Sequence, residues 1–92
     1  MEKLKLKVSG RVQGVGFRYV TQSVATEMGV RGEVWNNADA SVTIRAQAED
    51  LSAFVNQVRT GYLKKPWIKV TDVSVQFDND APDFDDFKVV YK

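Results

Sequence analysis

The chain has 92 residues, 43% of them hydrophobic, which is room for one small domain built on a single core. Thirteen basic residues against twelve acidic ones leave a net charge of +1, too little for a general nucleic-acid binder, so any anion site must be local. Cysteine and histidine are both absent, which excludes disulfides, thiolate or histidine-ligated metal sites and Ser-His catalysis.

In chain order, Lys3-Leu4-Lys5-Leu6-Lys7-Val8 alternates polar and apolar residues and predicts a half-buried strand. Phe17, Val20, Val24 and Met28 recur at helical spacing, so this strand feeds a helix, which Gly29 is placed to end. Aromatic and apolar residues at its start, Phe17, Tyr19 and Val20, read as core packing rather than as an RNA-binding strand. Val30, Val34 and Trp35 open a second strand. Asn36-Asn37-Ala38-Asp39-Ala40 then carries the side chains of a hairpin turn, with Asn37 serving the turn alone, and Ser41 to Ala48 alternate cleanly as a third strand.

Asp50 is placed to cap a second helix whose apolar stripe, Leu51, Phe54, Val55 and Val58, stops at Gly61. Tyr62 to Trp67, with Pro66, predicts an irregular connection in which Lys64 and Lys65 are solvated. Val73, Val75 and Phe77 alternate in a fourth strand, Asp78-Asn79-Asp80-Ala81-Pro82-Asp83 predicts a solvated loop, and Phe87 to Tyr91 predicts a short terminal strand. Asp83, Asp85 and Asp86 read as exposed carboxylates rather than a metal cluster. The order is that of a split βαβ, or ferredoxin-like, α+β sandwich: an antiparallel sheet with two helices on one face, formed by residues 1–92 as one domain.

The stretch Gly10-Arg11-Val12-Gln13-Gly14-Val15-Gly16-Phe17-Arg18 joins the first strand to the first helix through three glycines. Residues without a Cβ let backbone N–H groups turn toward a ligand, and a helix start adds unpaired N–H groups and the positive end of its dipole. Arg18, one residue into the helix, can fold back over the mouth and offer a planar fork of donors. Such glycines can merely make a tight strand-to-helix turn or can cradle a phosphate, and Arg18 tips the balance toward the cradle; the loop is neither a Walker A loop nor a dinucleotide fingerprint.

Those nine consecutive residues resemble the signature of the acylphosphatase family. Gly32-Glu33-Val34-Trp35-Asn36 resembles a second family element, a glycine followed four residues later by an asparagine, and the order of elements agrees over nearly the whole chain. The resemblance implies a metal-independent, cofactor-free acylphosphatase acting on small acyl phosphates. It further implies a phosphate held by Gln13, Gly14, Val15, Gly16, Phe17 and Arg18, with Arg18 and Asn36 as the catalytic pair and Asn36 orienting water. Two departures stand out: Asp39 is followed by Ala40 where glycine is common, and Gly61 by Tyr62 where proline is common. Alanine resists positive φ at a cost of about 1 kcal/mol or more, so a different turn is expected beside Asn36.

Two other readings compete. A non-catalytic phosphate or carbamoyl-phosphate module of a larger maturation protein is disfavoured by the end of the chain at Lys92 and by the missing zinc motifs. An RNA- or protein-interaction domain is disfavoured by near-neutral charge. With no apolar run of membrane length and no secretory segment, the expected protein is a cytoplasmic monomer that binds a small molecule and neither nucleic acid nor membrane.

Overall fold

The computed structural model describes residues 1–62 and 64–92. The elements are β1 (Glu2–Arg11), α1 (Phe17–Glu27), β2 (Arg31–Asn36), β3 (Val42–Ala48), α2 (Ser52–Arg59), β4 (Lys69–Phe77) and β5 (Phe87–Val89). They form a five-stranded sheet in the order β4-β1-β3-β2-β5. The pairs β1–β3, β1–β4 and β2–β3 are antiparallel, as the ferredoxin-like pattern requires. The short β5 runs parallel to β2, so the sheet is mixed rather than wholly antiparallel. The cause is connectivity: β4 and β5 occupy opposite edges, and the chain must cross the sheet between them instead of turning in a hairpin.

Alternation assigns the faces. Leu6 and Val8 of β1, Val34 of β2, and Val42, Ile44 and Ala46 of β3 join one buried cluster with Phe17 and Ala25 of α1 and Phe54 and Val58 of α2. Both helices therefore cover that inner face. The α1 stripe is rotated from the one that the apolar periodicity predicts: Phe17, Thr21 and Ala25 are buried, Val20 and Val24 are half-buried, and Met28 and Tyr19 are exposed. A hydroxyl displaces the valines because Thr21 Oγ1 and the buried Tyr62 hydroxyl share a 2.8 Å hydrogen bond. Both helices end at the expected glycines, with the Val30 N–H donating to the Ala25 carbonyl and the Tyr62 N–H to the Gln57 carbonyl. Asp50 acts one residue ahead of the helix boundary, its carboxylate accepting the Ser52 N–H at 2.9 Å.

The outer face differs more from expectation. The acidic stretch after β4 is not simply solvated: Asp78 and Ala81 are buried against the sheet, while Asp83, Asp85 and Asp86 are exposed as predicted. Arg45 of β3 holds Asp78 with two bonds, Nε to Oδ2 at 2.7 Å and Nη2 to Oδ1 at 3.2 Å, and the Gln47 carboxamide oxygen accepts the Phe84 N–H at 2.9 Å. These bonds carry the crossing chain to β5. Because both its faces are covered, central β3 also buries Thr43 and Gln47, against the clean alternation expected. Edge strand β4 leaves Val75 and Phe77 exposed, Phe77 at 78%. The connection through residues 62–67 is irregular where described; Leu63 lies outside the described residues.

Candidate active site

Val12 and Phe17 are both buried and pin the two ends of the loop between β1 and α1, so residues 13–16 arch over the surface. Gly14 and Gly16 have φ of 74° and 79°, while Val15 between them stays out of the positive region. Alternation of this kind can turn successive N–H groups to one side, the backbone arrangement from which anion-binding concavities are built. Beyond the adjacent residues, no atom of the described residues lies within 4 Å of where a Cβ would stand on either glycine, so both serve backbone conformation rather than close packing. Gly16 is also the N-cap of α1 with no side chain capping it, and the first turn holds no acidic residue. The leading N–H groups and the positive helix end are thus left for a ligand.

Three long-range bonds, made by two side chains, set the loop's shape. The Gln13 carboxamide donates from Nε2 to the carbonyls of Asn37 at 2.9 Å and Ser41 at 2.8 Å, tying the loop to the β2–β3 hairpin. The Trp67 indole donates to the Val15 carbonyl at 3.2 Å. Arg18, the second residue of α1, has its guanidinium carbon 5.2 Å from the ring centre of Tyr91 and 5.8 Å from that of Tyr19. The two tyrosine hydroxyls are hydrogen-bonded at 3.1 Å. That bond, followed by the nearby guanidinium, holds the Tyr91 phenol below its ordinary pKa, and the same bond raises that of Tyr19.

The hairpin places its adjacent asparagines on opposite sides. Asn36 ends β2 opposite Val42 and, by alternation with Gly32 and Val34, lies on the helix-covered face; its Oδ1 is buried and has no hydrogen-bond partner among the described residues. A Cβ at Gly32 would meet the Arg45 carbonyl oxygen at 1.8 Å, so the strand that carries Asn36 lies against β3 at a distance only glycine permits. Asn37 is saturated: Oδ1 accepts the Trp35 indole N–H at 3.1 Å, and Nδ2 donates to Ser41 Oγ at 2.9 Å and Thr43 Oγ1 at 2.7 Å. Its side chain thus spans two strands and does more than serve the turn. Ala40 takes φ of 74°, so the turn keeps its glycine-like conformation despite the alanine. Asp39 supports it, accepting the Ser41 N–H at 3.0 Å and pairing with Lys7 at 2.9 Å; the Ser41 hydroxyl and then Lys7 hold its carboxyl well below the usual range.

The residues singled out by sequence therefore lie on two neighbouring elements. Gln13 to Arg18 form the loop and helix start, Asn36 ends the strand beside them, and the Gln13 side chain joins the two, with no direct bond between the Arg18 and Asn36 side chains. Sequence reasoning gave Gln13 only a backbone role and passed over Trp67 and Tyr91, whose contacts join residues far apart in the chain.

The acylphosphatase family model matches residues 4–89. The acylphosphatase of Lactococcus lactis is 49% identical over 99% of this chain and 100% of its own length. That of Thermotoga maritima is 43% identical over 99% of both chains. The crystal structure of acylphosphatase from Bacillus subtilis superposes with a TM-score of 0.89 at 39% identity, covering 99% of this chain and 100% of its own. HypF of T. kodakarensis matches with a TM-score of 0.77 at 30% identity, covering 100% of this chain but 12% of that one. With a family model spanning nearly the whole sequence and full-length relatives at this identity, the chain belongs to the acylphosphatase family of enzymes.

Proposed function

We propose that the chain hydrolyses small acyl phosphates, breaking the carboxyl–phosphate bond to give carboxylate and orthophosphate without a metal ion. An acyl phosphate is already an activated anhydride, so its cleavage asks for alignment and charge stabilisation more than for proton transfer. The backbone N–H groups from Gln13 to Arg18 and the Arg18 guanidinium hold the phosphoryl oxygens and stabilise the charge spread over them in a loose transition state. The Asn36 carboxamide orients the attacking water and aligns its oxygen with phosphorus, opposite the leaving carboxylate. As the new O–P bond forms, the acyl O–P bond breaks, its electron pair leaves on the carboxylate, and both water protons remain on the phosphate product.

One pairing supports this reading: an uncapped, glycine-lined helix start is tied by the Gln13 side chain to the hairpin that begins at Asn36, which lies on the same helix-covered face. On this reading the enzyme works as a cytoplasmic monomer on a small molecule; the absence of cysteine suits a reducing compartment, and the +1 net charge gives no extended field for nucleic acid.

The likeness to HypF, where the matching region is 12% of the chain, favours a second reading in which such a domain binds phosphate or carbamoyl phosphate without turnover. Phosphate release from a simple acyl phosphate in the presence of chelator separates the two. Catalytic release by the wild type, lost in Arg18→Ala, supports hydrolysis. Stoichiometric phosphate binding without release supports the module.

A further inference from the structure

We propose that Trp67 is a positioning residue of the phosphate loop, fixing the Val15–Gly16 peptide so that its N–H faces the anion and its carbonyl faces away. The inference rests on the reading of this loop as the phosphate site. The Trp67 indole donates to the Val15 carbonyl at 3.2 Å, from a position 52 residues later in the chain. The chain contains no cis peptide bond among the described residues, and in a planar trans amide the carbonyl and the following N–H point in opposite directions. Drawing the Val15 oxygen toward the indole therefore turns the Gly16 N–H the other way. It also keeps an acceptor dipole, which would repel phosphate, out of the concavity.

Among the described residues, no other hydrogen bond holds the Val15 carbonyl. Gly14 and Gly16 flank Val15 with open space where side chains would be, and glycine visits both signs of φ freely, so the loop on its own samples other peptide orientations. Trp67 itself is 48% exposed and is no part of the core. The turn that carries it is nonetheless fixed. Next to it Ile68 is buried and donates its N–H to the Lys65 carbonyl at 3.0 Å, and the Lys65 N–H donates to the Tyr62 carbonyl at 2.8 Å. Tyr62 in turn packs against Phe17 of α1, the rings tilted by 40° with centres 5.6 Å apart. The donor and the helix start it serves are thus held in one frame.

If Trp67 acts by preorganisation, its removal lowers the fraction of loops competent to bind. Apparent affinities then fall by that fraction, while the bound complex reacts as before. Trp67→Phe keeps the ring and deletes the N–H. The expected result is a rise of about tenfold in both KM for acyl phosphate and Kd for inorganic phosphate, the size set by one lost hydrogen bond. Unchanged kcat and an unchanged phosphate-free melting temperature should accompany it. In amide NMR, the Gly16 resonance of the phosphate-free variant should be broadened or shifted and should return to the wild-type position at saturating phosphate. Equal KM and Kd in variant and wild type, or a fall in kcat with KM unchanged, overturns the role of Trp67. A wild type whose Gly16 amide does not respond to phosphate overturns the loop assignment itself.

Discussion

The two sides of the β2–β3 hairpin treat their polar groups in opposite ways. On the outer side, Asn37 makes three side-chain hydrogen bonds, Asp39 is held by Ser41 and Lys7, and Arg45 is paired twice with Asp78. On the inner side, Asn36 Oδ1 has no partner, and the helix start at Gly16 has no side-chain cap. Saturated groups stabilise the fold; unsaturated ones cost stability and are kept where a ligand completes them. The two sides therefore divide the molecule into a part whose variants should melt and a part whose variants should fail to turn over.

The largest expected effect is at Arg18. Arg18→Ala should lower activity by about a thousandfold or more, the range seen when a phosphoryl-stabilising arginine is removed, with little change in melting temperature. Arg18→Lys should fail as well, because lysine keeps the charge and loses the fork; steady-state rates of both variants check this. On the opposite side, Asp78→Ala should cost about 2 kcal/mol in urea unfolding, since it removes the two charged hydrogen bonds that Arg45 makes and leaves that arginine only the longer contact with Glu33 at 3.7 Å, while the folded fraction keeps its kcat.

The same ion pair sets a pH dependence. Hydrogen bonding from Arg45 lowers the Asp78 carboxyl, and Ser41 followed by Lys7 lowers that of Asp39, so both bind protons more weakly folded than unfolded. Their stabilisation is present above the unfolded carboxylate pKa of about 4 and is lost as pH falls through the depressed folded values. Unfolding free energy measured between pH 5 and 2 should fall less steeply in Asp78→Asn than in wild type. The smallest effect is a gain: Ala40→Gly should stabilise by about 0.5–1 kcal/mol in thermal melts, because glycine holds φ of 74° without the alanine penalty, and kcat should not change.

Much of this architecture is legible from local pattern. Element order follows from apolar period and from glycines at helix ends, and the strand-to-helix loop from the three glycines that form it. What escapes local pattern depends on partners distant in the chain. The α1 stripe turns from Val20 and Val24 to Thr21 because of a bond to Tyr62, 41 residues on. Gln13 bridges to carbonyls 24 and 28 residues away, Trp67 reaches back 52, and the acidic stretch packs because Arg45 awaits it on the sheet. Neighbouring Asn36 and Asn37 cannot be told apart by residue type. Their difference is one of face, set by the pleat of β2 and by what lies above and below it.

A paired measurement of kcat, phosphate Kd and melting temperature for Asn36→Ala and Asn37→Ala tests that division most directly. The account predicts that Asn36→Ala loses about a hundredfold in kcat, as for removal of one transition-state hydrogen bond, while keeping phosphate affinity and, relieved of its orphaned oxygen, full stability. It predicts the reverse for Asn37→Ala: about 2 kcal/mol of stability lost with its bonds to Trp35, Ser41 and Thr43, and near-normal kcat in the folded protein. An active Asn36→Ala beside a stable but inactive Asn37→Ala would contradict it.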